Sequence, residues 1–151
     1  MELYMRKLTG LLAVIVTTVT VSMTQSAFAA EHTINAEARV YNPGIVYAQP
    51  GDTIQWTNMT SHNAVSYVKP DGATGFGEKG QLPGGSFSAT PDKEGIYGYV
   101  CEPHIGFGMV GVIVIGNVSQ EMKDATLKKA DETLQGPFRR LIGMLNKVEV
   151  K

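Results

Sequence analysis

The sequence predicts an all-β Greek-key β-sandwich followed by two C-terminal α-helices. Three observations carry this expectation: seven short β-rich runs, turn-forming residues that separate them, and helical patterning that begins only after Asn117. The runs are residues 32–40, 45–48, 53–58, 64–68, 86–89, 97–100 and 110–115. Each alternates in polarity or is rich in Val, Ile, Thr and Tyr, side chains that suit a pleated, half-buried surface.

The turns follow from seven prolines and seventeen glycines. Asn42-Pro43-Gly44, Pro50-Gly51-Asp52, Pro70-Asp71-Gly72, Pro83-Gly84-Gly85 and Pro91-Asp92 combine a residue that presets a negative φ with residues that tolerate a positive one. Trp56 and Phe87 are the expected core fillers. Residues 72–85 are glycine-rich and read as a mobile connection with room for a short helical turn and no assigned function.

Beyond residue 116 the pattern changes. Asn117 is placed to cap a helix, with Gln120 three residues later, and Met122, Ala125, Ala130 and Leu134 form a modest apolar stripe ahead of Gly136. Pro137 suits the first position of a second helix. There Phe138, Leu141, Ile142 and Leu145 fall at i, i+3, i+4 and i+7, so one face should pack back on the sandwich. The expected organisation is 1–29 leader, 30–116 sandwich and 117–151 helical extension.

The leader assignment rests on Arg6 and Lys7, an apolar and threonine-rich run over 8–23, and Ala27-Phe28-Ala29, a small-x-small cleavage pattern. A membrane anchor is the competing reading. The run is short for about 30 Å of hydrocarbon and carries several threonines, so a secretory signal is preferred, with no stable membrane insertion after cleavage. The remaining 122 residues hold 11 basic and 13 acidic side chains, a balance that excludes nucleic-acid binding by bulk charge. Residues 30–116 carry four basic and eight acidic groups, and residues 117–151 seven and five, so the sandwich is the more negative part.

Export sharpens the meaning of Cys101, the one cysteine in the chain, which has no partner for an internal disulfide. It opens Cys101-Glu102-Pro103-His104-Ile105-Gly106-Phe107-Gly108-Met109, which places a thiol, an imidazole and a thioether within nine residues. His62 lies 39 residues earlier, in a polar turn after the run that holds Trp56. A Greek-key sandwich gathers loops at one end. Two imidazoles and one thiolate form a trigonal set that suits copper in both oxidation states, and a weakly held methionine sulfur completes it. Zinc is the metal alternative, and the thioether speaks against it. Cys101 as a buried free thiol, His62 as a solvent-facing loop histidine and Met109 as a core residue are the readings without a metal.

These residues resemble the cupredoxins, the type 1 blue copper proteins. The resemblance lies in Cys101-x-x-His104-x4-Met109, His62-Asn63 upstream, and Pro50-Gly51-Asp52-Thr53 before the strand that leads to them. The loop spacing is similar to that of plastocyanin and pseudoazurin, and two helices after the last strand resemble pseudoazurin. The resemblance implies one copper ion per subunit, held by His62, Cys101, His104 and, weakly, Met109. It also implies that the Asn63 backbone N–H approaches the cysteine sulfur. Glu102 departs from the small hydroxyl or amide residue usual at its position.

The function so implied is a monomeric periplasmic carrier of single electrons, not an enzyme. Three histidines are too few for an added catalytic copper. Its redox partners would be a donor such as a cytochrome or quinol-linked enzyme and an acceptor such as a copper nitrite reductase or related enzyme. They would touch it transiently near His104, where Pro103, Ile105, Gly106, Phe107 and Gly108 make an apolar tip. The alternative is copper delivery or storage, which favours labile, exposed sulfur-rich sites. A weaker expectation concerns His32. Cleavage after Ala29 would leave Ala30-Glu31-His32, whose amine, amides and ring can wrap copper(II) in a square-planar set, unless His32 simply belongs to the first strand.

Overall fold

A computed structural model describes residues 29–150. The leader assigned to 1–29 lies outside the described residues except for its last position. Eight strands form two four-stranded sheets: β1 (Glu31–Glu37), β2 (Val40–Asn42), β3 (Ile45–Ala48), β4 (Thr53–Thr57), β5 (Val65–Val68), β6 (Ser86–Ala89), β7 (Gly95–Val100) and β8 (Val110–Ile115). The first sheet has the order β2-β1-β4-β6 and the second β3-β8-β7-β5. Both are mixed, because β1 runs parallel to β4 and β3 parallel to β8 while the other neighbours are antiparallel. Two helices follow, α1 (Gln120–Thr133) and α2 (Arg140–Asn146), the second entered through a 3₁₀ turn at Gly136–Arg139.

The first expected strand is in fact two. The chain reverses at Ala38-Arg39, with Ala38 at φ 46°, and β2 folds back on β1 with Asn35 opposite Asn42. Glu37 Oε1 accepts hydrogen bonds from the side-chain amides of both asparagines, at 3.0 and 3.1 Å, and holds the reversal. No Gly, Pro, Asn or Asp marks that turn, so the sequence carries no signal for it. The helical tail is also corrected in detail. Ser119, not Asn117, caps α1 by accepting from Met122 N–H, and Met122 and Ala125 face solvent while Ala130 and Leu134 are buried. Pro137 does open the second helical segment, and Leu141 and Leu145 face inward.

Two apolar layers result. Between the sheets lie Ile34, Ile54, Trp56, Tyr97, Tyr99, Ile113 and Ile115, with Phe87 at the margin. On the outer face of the second sheet, Val68, Ile96, Val112 and Val114 pack against Ala130, Leu134, Leu141 and Leu145 of the helices. Every residue of β7 and β8 is therefore buried. Gly98 of β7 lies so close to Leu141 that an added methyl would sit 2.8 Å from its Cδ2. Residues 72–85 form no helical turn, and they are anchored: Phe76 packs on Trp56 at a ring separation of 5.2 Å, and Ser66 Oγ donates to the Phe76 carbonyl at 3.1 Å and accepts from the Phe76 N–H at 2.9 Å.

Candidate metal centre

Strands β7 and β8 are the paired core strands of the second sheet, and the loop joining them begins and ends on that pairing. Cys101 follows β7, Met109 precedes β8, and Cys101 N–H donates to the Met109 carbonyl at 3.0 Å. Between them a 3₁₀ segment, Glu102–Phe107, opens with Pro103 and closes at Gly108, whose φ of 85° returns the chain to the strand. Amide N–H groups of His104 and Gly108 donate to the carbonyls of Cys101 and Ile105, so the loop is hydrogen-bonded internally. His62 arrives from the other direction, in the connection from β4 to β5, where its N–H donates to the Met59 carbonyl at 3.2 Å.

The sequence expectation that three donor side chains converge is met in space. His62 Nδ1 lies 3.7 Å and His104 Nδ1 3.4 Å from Cys101 Sγ, and the two Nδ1 atoms are 3.1 Å apart. A triangle with these edges has a circumradius of about 2.0 Å, close to the roughly 2.0–2.3 Å that nitrogen and thiolate ligands keep from a first-row metal ion. His62 and Cys101 are buried and His104 is half-buried. Met109 is fully buried in the same core cluster as Cys101. The donor set, two neutral nitrogens and a soft sulfur, fits copper.

Electrostatics agree with a site built for a cation. Burial, and secondarily the neighbouring His104, holds His62 below the usual histidine range, which keeps the imidazole in its neutral, ligating form. Burial pushes the Cys101 thiol up, opposed by backbone hydrogen bonds at Asn63 and His104. A thiol this reluctant to ionise alone becomes a thiolate when a bound metal ion supplies the charge.

A second layer of contacts, unread in the sequence, fixes these ligands. Glu102 is bonded on both oxygens: Tyr67 Oη donates to Oε1 at 2.6 Å, while Gly80 N–H and Asn63 Nδ2 donate to Oε2 at 2.6 and 3.0 Å. Asn63 in turn accepts from Glu102 N–H at 2.8 Å and donates to the Gln81 carbonyl at 3.1 Å. Burial alone would raise the Glu102 carboxyl, but hydrogen bonds from Gly80, Tyr67 and Asn63 bring it below the ordinary value. Tyr67 is pushed up to about 12, by burial and then by its bond to that carboxylate. The residue that departs from the cupredoxin pattern thus ties both ligand loops to residues 80–81. The ring of Tyr67 stacks on Phe138, 4.7 Å away, which joins this network to the helical tail.

His32 is not brought to this site. It lies in β1, with Nε2 2.8 Å from Asp52 Oδ2, and the Ala30 amide donates to Asp52 Oδ1. Groups that a square-planar N-terminal copper site would use are engaged by strand pairing and by that carboxylate.

Comparison with known proteins agrees with this geometry. The family described as copper binding proteins, plastocyanin/azurin family, matches residues 28–116. The chain belongs to this plastocyanin/azurin family of copper-binding proteins. It is 33% identical over 111 residues to the pseudoazurin of Paracoccus pantotrophus, covering 68% of this chain and 74% of that one. It is 37% identical over 105 residues to the chloroplastic plastocyanin of Tetradesmus obliquus, covering 62% and 72%. Among solved structures, native pseudoazurin from Hyphomicrobium denitrificans superposes with a TM-score of 0.62 at 30% identity, covering 80% of this chain and 99% of that one. A match over 80% of the chain cannot fit within residues 28–116, so the likeness to pseudoazurin extends beyond residue 116. As a cupredoxin, the chain is a blue copper electron carrier that serves redox proteins, and not an enzyme.

Proposed function

We propose that His62, Cys101 and His104 hold one copper ion through Nδ1, Sγ and Nδ1, with Met109 as a weak fourth ligand, and that the protein moves single electrons in the periplasm. The convergence of those three atoms within 4.8 Å of one another carries the reading. When bound, copper supplies one-electron chemistry by alternating between Cu(I) and Cu(II). The chain's own contribution is to hold the ligands still. Paired strands fix Cys101 and Met109, and the Asn63–Glu102 bonds fix the two histidine loops against each other, so little has to move when the charge changes.

His104 is the part of the site that reaches solvent. Its ring lies 6.3 Å from that of Phe107, which is 58% exposed, and the Arg39 guanidinium caps Phe107 from 4.2 Å. This small apolar tip, formed with Pro103 and Gly106, suits brief docking and fast release, as a carrier requires. The protein works as a monomer in this reading, and the partner class expected from the sequence is a cytochrome or quinol-linked donor and a copper nitrite reductase or related acceptor. Copper(II) reconstitution tests the proposal. The expected result is an intense red-region absorption band at one copper per chain, bleached by reductant and restored by oxidant. A colourless copper complex overturns it.

A further inference from the structure

Asp52 is nearly as buried as the core side chains, at 6% exposure, yet its hydrogen bonds go to Ala30, His32 and Gln49 and to none of the residues of the metal centre. Oδ1 accepts from Ala30 N–H at 2.8 Å, and Oδ2 accepts from Gln49 N–H and faces His32 Nε2, both at 2.8 Å. These bonds, that from Gln49 foremost, lower its carboxyl to about 2. The group is therefore a carboxylate at neutral pH, and one so largely covered is stabilised by a cation beside it. Among these three donors two are neutral amides. The third, a histidine ring, is charged only when protonated.

Ala30 stands at a particular place in the chain. Its carbonyl accepts from Thr53 N–H at 2.9 Å, and β1 begins at the next residue, so Ala30 is where the described chain becomes attached to the sandwich. Ala29 and Ala30 are both exposed, ahead of the first strand. The small-x-small pattern Ala27-Phe28-Ala29 independently marks the same bond for cleavage.

We propose that Asp52 is the socket for the α-amine released when the leader is cut between Ala29 and Ala30. Water adds across that amide, leaving a carboxylate on Ala29 and an ammonium on Ala30. An amide N–H 2.8 Å from Oδ1 is thereby replaced by a cation at the same position, and a neutral hydrogen bond becomes a charge-assisted one. Processing thus locks β1 and its neighbour β4 into register in the exported protein. The same step takes the amine away from the square-planar copper(II) set that Ala30-Glu31-His32 could otherwise form. The proposal rests on the export reading.

The test uses the full-length chain expressed with its leader in a Gram-negative host and recovered from the periplasm. Intact mass should show a chain beginning at Ala30, and in the folded protein its α-amine should react with an acylating reagent at least about ten-fold more slowly than after unfolding. Inserting Gly-Ser between Ala29 and Ala30, so that cleavage leaves two extra residues, should lower the melting temperature by about 4 °C. In an Asp52→Asn background the same insertion should change it by less than about 1 °C. A chain that is not exported, or that begins elsewhere, overturns the export reading and the socket with it. A chain that begins at Ala30 but whose amine reacts equally fast folded and unfolded overturns the socket alone. So does an insertion that has no effect with Asp52 present, or the same effect with Asn in its place. The amine-reactivity arm needs no variant and decides the matter even where Asp52→Asn does not fold.

Discussion

The two sheets of this sandwich live in different surroundings. In the first, β1 alternates between inward residues such as Ile34 and Ala36 and outward ones such as Thr33 and Asn35, because its outer face meets water. In the second, β7 and β8 are buried on both faces, by the sandwich core inside and by α1 and α2 outside. The β7–β8 loop carries Cys101, His104 and Met109. The difference teaches where rigidity is concentrated: three of the four proposed ligands hang from the strand pair that is clamped from both sides, and the partner-facing tip is the free end of that clamp.

The comparison breaks most severely if the clamp is opened. Leu141→Ala empties a fully buried position against Gly98 and is expected to cost about 3 kcal/mol of stability, read from a denaturant midpoint. Copper retention against a chelator should fall in the same variant. If stability drops by less than about 1 kcal/mol, the helices are ornament and the two sheets are equivalent. Loading copper on the wild-type chain should raise stability by about 2.7 kcal/mol at a hundred-fold excess over the dissociation constant, and Cys101→Ser should abolish most of that gain.

Smaller effects sharpen the contrast at the loops and the wet face. Glu102→Gln keeps the shape and removes the charge that Tyr67, Gly80 and Asn63 share. It should cost about 1–2 kcal/mol and shift the visible copper band, whereas a purely remote packing role would leave the spectrum unchanged. In the turn that leads into β4, Asp52 gives a pH signature. Its folded value is depressed to about 2, so its contribution is complete above the ordinary carboxylate range near pH 4 and is lost as pH falls toward 2. The melting-temperature gap between wild type and Asp52→Asn should therefore be present at pH 6 and narrow across that window. Val40→Thr, on the exposed face of β2, should change stability by less than about 0.5 kcal/mol.

What could be read from the sequence follows the same division. The strands at 45–48, 86–89 and 110–115 have the expected bounds, because β-branched runs in the first and last, and polar–apolar alternation in Ser86-Phe87-Ser88-Ala89, stand between Pro and Gly turns and signal themselves locally. The Cys101–Met109 spacing is local too, and His62 is legible because the thiol and imidazole of that loop call for a further nitrogen donor. The β1–β2 reversal was invisible, since Ala38-Arg39 contains no turn residue. The α1 stripe holds at Ala130 and Leu134, which are buried, and fails at Ala125, which is exposed while Leu127 packs on the sheet in its place. The Glu102 network could not be read at all. Its partners Asn63, Tyr67 and Gly80 lie 39, 35 and 22 residues away, and only the folded sheets bring them to one carboxylate. Residues 72–85 showed their glycines but not their anchoring. Gly77, at φ 73°, has no room for a Cβ against the Ala64 carbonyl, and this keeps the connection pressed on the loop that carries His62.

X-ray absorption at the copper edge of the loaded protein counts the atoms around the ion and so decides whether Cys101, His62 and His104 hold it. The account predicts one short sulfur and two nitrogens at about 2.0–2.3 Å, with the sulfur signal lost in Cys101→Ser. A shell of four light atoms with no short sulfur, unchanged by Cys101→Ser, would contradict it.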